Sequence, residues 1–327
     1  MNREKSKALD LVKRDGTLLA DLTDELKNDK DIIHQAMKNI YGVMEYAGER
    51  LKKDREFCIE VIKEDPTNLE YISKDLLSDK SFISELVFDN NVKIGDSIRY
   101  VSDEIKNDKE FIKRLLQKNG MALSGVKDLY GEDKEMVLAA IENDGAAIQY
   151  ASRDFQKDKD IILNAIKTNS RAYLEASSNL RKDRDIAKAA LEADGNLISS
   201  VCVYFQDDKE LFEIACRTDK KALSWSEDLM YDEEFVEEQI DKNQILLSML
   251  GDNILDNKKL VEKAIKYSPR ETLTSASERL KDDKELVLKA VAVSGEAILS
   301  ASKRLREDKD VIDIAKKTYP LAEPYNR

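Results

Sequence analysis

The chain is poor in the residues on which many catalytic and covalently cross-linked proteins depend. Its 327 residues include one histidine, four prolines, three cysteines and one tryptophan, and aromatic residues make up 6%. Three cysteines in so long a chain exclude a disulfide scaffold. One histidine excludes histidine-pair metal sites and most histidine-based triads. No apolar run approaches the roughly 20 residues that span a bilayer, and no secretory signal is visible at the start of the sequence.

Charge is abundant instead. The chain has 54 Lys and Arg residues against 66 Asp and Glu residues, which gives a formal net charge of −12. Hydrophobic residues make up 42% of the sequence, which is enough to bury a core and argues against wholesale disorder. Little proline and glycine together with much charge favours helix. We therefore expect an acidic, all-α protein.

A short block of sequence recurs along the whole chain, with an Asp, a basic residue, an acidic residue and two apolar residues in succession. Most copies lie 25 residues apart, with one step of 29, one of 24 and one of 26. Asn257 takes the place of the Asp in one copy, and a worn copy around Glu4 precedes the first. Such regular spacing is typical of repeat architectures. The Asp residues are Asp29, Asp54, Asp79, Asp108, Asp133, Asp158, Asp183, Asp208, Asp232, Asp283 and Asp308.

Each repeat predicts two short helices, and the copy that starts at Asp133 illustrates why. An Asp is a good N-cap because its carboxylate accepts unpaired backbone N–H groups. The apolar residues that follow recur at helical spacing and form one stripe: Met136, Val137, Ala140 and Ile141. An Asp-Gly or Asn-Gly pair then ends the first helix in several copies, and Pro66 and Pro269 mark the start of the second helix in two others.

The second helix is expected to carry its own stripe, such as Ile148, Ala151 and Phe155, with a small residue after the Ala that lets helices approach closely. Helices of about 10 residues are too short to be stable alone. Stacked neighbours bury the stripes together. The sequence therefore predicts an elongated α-solenoid of about twelve helix-turn-helix repeats, a single domain over 1–327 with worn capping units at 1–28 and 308–327.

The repeat consensus, which stands most fully at 280–302 and 130–152, resembles the helical repeat family called "domain of unknown function" 4116. The resemblance covers nearly the whole chain and implies a helical-repeat fold. It implies no established activity, catalytic residue or cofactor. The family's occurrence in bacteria, protists and large viruses leads to the hypothesis of a phage or pathogen inhibitor or effector.

Motifs for catalysis and cofactor binding are missing from the sequence. The glycine-rich phosphate-binding motifs G-x-G-x-x-G and G-x-x-x-x-G-K-[ST] do not occur, and the zinc motif H-E-x-x-H does not occur either. Cys58 and Cys216 fall on apolar stripes, Cys202 takes a small position, and His34 lies at a boundary position. We therefore expect no enzyme activity, no catalytic residue, no metal and no cofactor, and the free cysteines indicate a reducing, cytoplasmic compartment.

The residue after each cap Asp is basic in nearly every copy, so stacked repeats would align these side chains into a ladder. One interpretation is an anion track for phosphates of a nucleic acid or nucleotide. The other is that each cation neutralises the cap Asp of a neighbouring repeat, which the one-to-one pairing favours. The members that we single out as a candidate anion ladder are Lys109, Lys134, Lys159, Arg184 and Lys209.

Two groups of aromatic residues are candidate contacts for a partner, because rigid amphipathic rings are common interface anchors. The first is a row at one place of the repeat, just before the central stripe residue: Tyr46, Tyr71, Tyr100 and Tyr150. The second lies between Val201 and Asn257, where the sequence departs most from the repeat. Glu233 replaces the usual Lys there, and Gln239 and Trp225 replace small residues, so Trp225 is expected at a buried place. The candidates of this second group are Tyr204, Trp225 and Tyr231.

The hypothesis that follows is a non-enzymatic interaction protein that binds a protein partner through an extended solenoid surface, as solenoids commonly do. The alternative is a nucleic-acid or nucleotide-binding solenoid that uses the basic ladder, although a net charge of −12 disfavours it. No contact with a membrane is expected. The pattern specifies no oligomeric state.

Overall fold

The structure, a computed structural model, describes residues 2–322. These residues form an all-α repeat solenoid, and none of them lies in a β-strand. The chain divides into two compact units, Met1–Ser177 and Ser178–Arg327. The division falls inside a repeat, and the single-domain description stays a prediction. Of the expected C-terminal capping unit at 308–327, residues 323–327 lie outside the described part.

Every repeat begins with a helix that follows the cap residue. In the copy at Asp133, the carboxylate accepts the backbone N–H groups of Glu135 at 3.0 Å and Met136 at 3.3 Å, and the predicted apolar stripe is fully buried. The first helices are Asn2–Arg14, Lys30–Met37, Arg55–Glu64, Lys80–Ser84, Lys109–Lys118, Lys134–Asn143, Lys159–Thr168, Arg184–Ala193, Lys209–Cys216, Glu233–Asp241, Lys258–Ile265, Lys284–Val293 and Lys309–Ala315.

The second helix of the repeat is broken, contrary to the expectation of one continuous helix. It consists in most copies of a short 3₁₀ segment followed by one turn of α-helix. The first parts are Gly16–Asp21, Val43–Glu45, Pro66–Tyr71, Gly95–Tyr100, Gly120–Ala122, Gly145–Tyr150, Ala172–Glu175, Gly195–Leu197, Ala222–Trp225, Leu247–Met249, Pro269–Ser275 and Gly295–Ser300. The second parts are Asp24–Lys27, Glu49–Lys52, Lys74–Leu77, Asp103–Lys106, Phe155–Lys157, Ser178–Arg181, Leu229–Tyr231, Asp252–Leu255, Glu278–Lys281 and Lys303–Arg306. In two copies the 3₁₀ segment continues without a break into an α-helix, Leu123–Tyr130 and Ile198–Val201.

The break has a physical cause that lies in the neighbouring repeat. The central stripe residue, such as Ala151, is extended, with φ −78° and ψ 161°. The next residue, Ser152, donates its backbone N–H to the carbonyl of Gly131 in the preceding repeat at 2.8 Å. Equivalent bonds run from Ser73 to Lys52 and from Ser302 to Lys281, each at 2.9 Å. The chain leaves the helix at this point because the bond to the previous repeat replaces a helical one.

The small residue after the stripe therefore has a role other than the close helix approach that we expected. Ser277 and Ser302 cap the short α-turn that follows, since their hydroxyls accept the N–H groups of Leu280 and Leu305, each at 3.3 Å. Serine suits a position that must break one helix and start the next.

The glycine that ends the first helix lies against the next repeat. A Cβ atom on Gly145 would lie 1.9 Å from the carbonyl oxygen of Ala165, and one on Gly120 would lie 2.2 Å from that of Ala140. Real Cβ atoms do not approach a backbone oxygen so closely. Glycine at this place therefore sets how tightly successive repeats stack within each compact unit.

We predict that Gly145→Ala destabilises the protein by about 2 kcal/mol, because a rigid backbone carbonyl must move to admit the methyl group. The measurement is the midpoint of thermal unfolding by calorimetry. Ser170→Ala is the matched control, since Ser170 holds the same place in the next repeat and already carries a Cβ atom. An unchanged midpoint for Gly145→Ala would contradict the packing role of this glycine.

The 29-residue step is a local bulge in the first compact unit. The helix Lys80–Ser84 passes into a π-helical segment, Glu85–Asp89, and Asn91 then adopts φ 53°. The ring of Phe88 contacts that of Phe111 edge-on, with 5.8 Å between the centroids. The extra residues thus form a bend packed on the next first helix.

Candidate interaction surfaces

In most repeats the basic residue that follows the cap position pairs with the cap Asp of the next repeat. The Nζ of Lys109 lies 2.8 Å from Asp133, and the guanidinium of Arg184 lies 2.7 Å from Asp208. Lys134 makes the longest of these pairs, at 4.0 Å from Asp158. The remaining pairs are Lys5–Asp29, Lys30–Asp54, Arg55–Asp79, Lys80–Asp108, Lys209–Asp232, Lys258–Asp283 and Lys284–Asp308.

These contacts are the ones that the neutralising interpretation of the ladder requires. Lys109, Lys134, Arg184 and Lys209 remain about half exposed, but each has a carboxylate partner. Lys159 opens its own helix in the same way and also has an interaction partner. Exposed pairs of this kind contribute little stability one by one. Their repetition fixes which oxygen of each cap Asp faces the preceding repeat.

In one step of the ladder, both the basic residue and the cap Asp that it would face are replaced. Glu233 stands where a Lys or Arg is usual, and Asn257 stands where the cap Asp is usual. The Nδ2 of Asn257 donates to the Glu233 carboxylate at 3.1 Å, while its Oδ1 still accepts the N–H of Lys259 at 3.1 Å. Asparagine is suited to this double task because its amide holds a donor and an acceptor. The two departures from the repeat therefore compensate one another.

We predict that Asn257→Asp destabilises the protein, because it places a carboxylate against Glu233, and that adding Glu233→Lys restores stability. The expected coupling is about 0.5 kcal/mol, as for other exposed pairs. A double-mutant cycle measured by urea unfolding tests it. Glu234→Lys, one residue along the same helix, is the control partner and should leave the Asn257→Asp defect in place. Additive effects of Glu233→Lys and Asn257→Asp would refute the compensation.

Six of the cap carboxylates have pKa values that their cationic partners lower. A hydrogen bond from the partner side chain is the largest cause that lowers the pKa of Asp133, with Lys109 as the donor. The same holds for Asp208, whose pKa Arg184 lowers. The other cap residues whose pKa a ladder cation lowers most are Asp54, Asp108, Asp232 and Asp308.

These shifts predict the acid behaviour of the fold. A group whose pKa is lower in the folded than in the unfolded chain stabilises the fold above its unfolded pKa, near 3.9 for Asp, and this contribution is lost as pH falls through the folded pKa. We therefore expect a nearly constant unfolding midpoint between about pH 5 and 8 and a steep fall below about pH 4.

In Lys109→Gln, the pKa of Asp133 should rise toward its usual value in an NMR titration. An unshifted Asp133 would contradict the pairing.

The tyrosine row occupies the end of the 3₁₀ segment. Tyr71, Tyr100 and Tyr150 are each the last residue of their segment, and Tyr46 directly follows Val43–Glu45. All four side chains are half-buried. The ring of Tyr71 lies against Gly42 of the preceding repeat, since a Cβ there would be 3.1 Å from its Cε2 atom. The row therefore packs across repeats and leaves part of each ring in solvent.

Carboxylates flank the first three tyrosines, a feature that sequence inspection missed. The charge of Glu45 is the largest cause that raises the pKa of Tyr46, and a hydrogen bond to Glu70 is the largest cause for Tyr100. Burial followed by the charge of Glu70 raises the pKa of Tyr71. Within residues 2–322, neither glutamate has a cation at ion-pair distance. The signal in the sequence is the Glu directly before Tyr46 and Tyr71.

Trp225 is not buried, and that expectation was wrong. Its side chain is 52% exposed, while Ser226 is buried, with 1% exposure. Trp225 ends the 3₁₀ segment Ala222–Trp225 as Tyr71 and Tyr150 end theirs. The repeat is one residue short after Trp225 rather than before it, which shifted the sequence alignment. Trp225 therefore holds the row position in the second compact unit.

The other two aromatic candidates do not hold the row position. Tyr204 is half-buried, with the Nζ of Lys182 lying 5.7 Å from its ring centroid. Tyr231 is 53% exposed, and its ring covers Gly251 of the following repeat. Both contribute to packing, and partner binding through them stays a prediction.

The cysteines and the histidine occupy ordinary structural positions. The three cysteines are free and buried, and burial raises the pKa of Cys58 and of Cys216 to about 12. His34 lies 3.4 Å from Glu60 at the surface. Over residues 2–322, no group of three or more His, Cys, Asp or Glu side chains is placed to hold a metal ion. No helix in this range has the length and apolar character needed to cross a membrane.

The repeats of the chain match the model of one known protein family. The model of the family described as domain of unknown function (DUF4116) matches eight stretches, most of which overlap their neighbours: 5–52, 29–77, 54–91, 79–128, 133–181, 158–206, 257–306 and 283–322. The most altered part of the repeat, 207–256, lies between two of these stretches. No curated protein and no solved structure matches the chain. The matches span most of the sequence, and the chain therefore belongs to the DUF4116 family.

Proposed function

We propose that this protein is a non-enzymatic interaction protein that binds a protein partner through its repeat surface. The observation that supports this most is the tyrosine row together with its carboxylates. Three successive repeats present Tyr46, Tyr71 and Tyr100 with part of each ring in solvent, next to Glu45 and Glu70. Aromatic side chains with a polar tip are frequent hot spots of protein interfaces.

The repeat offers an internal comparison that supports a specific role for the row. Several repeats have serine at the same place, namely Ser200, Ser275 and Ser300. The fold therefore tolerates a small polar residue there, and packing alone does not require tyrosine. Residues that the fold does not need are more readily explained by contact with a partner.

The alternative, nucleic-acid binding by the basic ladder, has less support. A phosphate that bound Lys109 would have to displace Asp133 at 2.8 Å and Glu135 at 3.1 Å. Arg184 is held by Asp208 and Glu210, each at 2.7 Å. A net charge of −12 adds general repulsion of polyanions.

A steric mechanism fits such a surface, because the row and its carboxylates offer contact area and no reactive group. Occupation of a partner's surface, or the joining of two components, requires no chemistry. An inhibitor or effector role is the corresponding biological hypothesis. The buried free cysteines support action in a reducing, cytoplasmic compartment.

The test compares the wild type with Tyr71→Ser/Tyr100→Ser. Serine occupies this place in other repeats, so we expect both variants to fold, which the unfolding midpoint checks. Tagged proteins are incubated with nuclease-treated and untreated lysate of the native host, and bound proteins are quantified by mass spectrometry. The control is Tyr41→Ser, because Tyr41 is 89% exposed and lies off the row.

We expect one protein set to survive nuclease and to fall at least about tenfold in the double variant, the scale of a hot-spot loss, but not in Tyr41→Ser. Capture that disappears with nuclease would overturn the proposal in favour of the ladder. Capture that is equal in all three proteins would refute the row as the binding surface.

A further inference from the structure

The second compact unit contains a cavity where the repeat is most altered. Its volume is about 470 Å³, within the range of small-molecule sites. Ile240, Ile245, Leu247 and Ala264 give it an apolar lining, and the polar lining includes two cations and several hydroxyl groups: Lys220, Arg270, Ser248, Ser268, Thr274 and Ser275.

The cavity lies where the glycine contact between repeats is missing. Gln244 stands at the place of Gly145, and Asn243 before it adopts φ 54°. The N–H of Gln244 bonds the carbonyl of Gln239, whereas in a regular repeat the residue before the glycine makes the corresponding bond. The loop therefore leaves its usual path, and Ala264, which it would cover, keeps 8% exposure, while Ala165 at the same place has none.

A second substitution keeps the gap open. The last turn of the first helix usually ends in an Asn or Thr that bonds the glycine N–H of the preceding repeat, as Asn143 does for Gly120 at 2.8 Å. Tyr267 takes this place beside the cavity, and its hydroxyl donates to the carbonyl of Asp241 at 2.8 Å. The larger side chain bridges the two repeats where a small one would draw them together.

The charges at the cavity indicate what it would accept. Lys220 has a neutral partner, the Oδ1 of Asn243 at 3.2 Å, and over residues 2–322 no carboxylate lies at ion-pair distance from it. Arg270 lies 3.4 Å from Glu296. Glu271 also lines the cavity and disfavours a second negative charge. One anionic group beside Lys220, with the rest of the ligand apolar, suits this lining.

We propose that this cavity binds a small organic monocarboxylate with an apolar body. The carboxylate lies at Lys220, and the apolar body covers Ile240, Ile245 and Ala264. A dianion or a phosphate ester is disfavoured by Glu271. The site is separate from the tyrosine row, and the inference does not depend on the proposed protein partner.

The test uses three probes of equal chain length, octanoate, 1-octanol and octylamine, with the full chain. Binding is followed by saturation-transfer NMR and by titration. We expect octanoate to bind with a Kd of about 1 mM, reasonable for a ligand of this size, and about tenfold tighter than octylamine, since an ion pair with Lys220 favours one sign of charge.

Two variants locate the site. Lys220→Gln should weaken octanoate about tenfold and leave octanol unchanged, whereas Lys221→Gln, the adjacent exposed lysine that does not line the cavity, should change neither. Ala264→Phe should fill the cavity and abolish binding of both. Because Lys220 is exposed, its variant tests the proposal even where Ala264→Phe unfolds.

Three results would overturn the proposal. The first is that octanoate does not bind at a concentration several times the expected Kd. The second is that octanoate and octylamine bind equally well. The third is that octanoate binding is unchanged in Lys220→Gln. The outcome of these titrations is independent of the capture experiment, so either proposal can fail alone.

Discussion

Each cap aspartate makes two interactions at once, and the stacking of repeats depends on this. In Asp133, Oδ1 accepts the first N–H groups of its own helix, while Oδ2 faces Lys109 of the preceding repeat. The same division between the two oxygens recurs at Asp54 and Asp283. One carboxylate thus starts a helix and fixes its position against the previous one. The bond from Ser152 to Gly131 adds a backbone link at the other end of the repeat.

Because neighbouring repeats contact one another through fixed pairs of positions, changes in the repeat occur in pairs. A cap that loses its charge, as Asn257 does, no longer attracts a cation, and the facing residue is then Glu233. Gln244 stands at the place of the glycine, and Tyr267 stands at the place of the small residue that bonds this glycine in other repeats. Gln239 shows the limit of such compensation, because its buried side-chain amide has no hydrogen-bond partner among residues 2–322.

The sequence predicted the repeat, its first helix and the cation–Asp pairing, because each follows from a local pattern with fixed spacing. The broken second helix was not predicted, because the extended conformation of Ala151 arises from a bond to the preceding repeat that no local pattern records. The burial assigned to Trp225 was wrong for a related reason, since a one-residue deletion can precede or follow the tryptophan without changing the spacing of the caps. The carboxylates beside the tyrosines were visible in the sequence, but their proximity across repeats was not.

The two proposed sites lie at repeat positions that differ in how closely they pack against the neighbouring repeat. The row position ends a 3₁₀ segment and is partly solvated in Tyr71 and in Trp225 alike, so its side chain can vary without changing the stacking. The cavity requires a change at the glycine position, where a Cβ atom on Gly120 or Gly145 would lie too close to the carbonyl of the next repeat. A surface contact can therefore be gained at any repeat by one substitution. A cavity needs coordinated changes in two neighbouring repeats, which is why it lies where the departures from the repeat are concentrated.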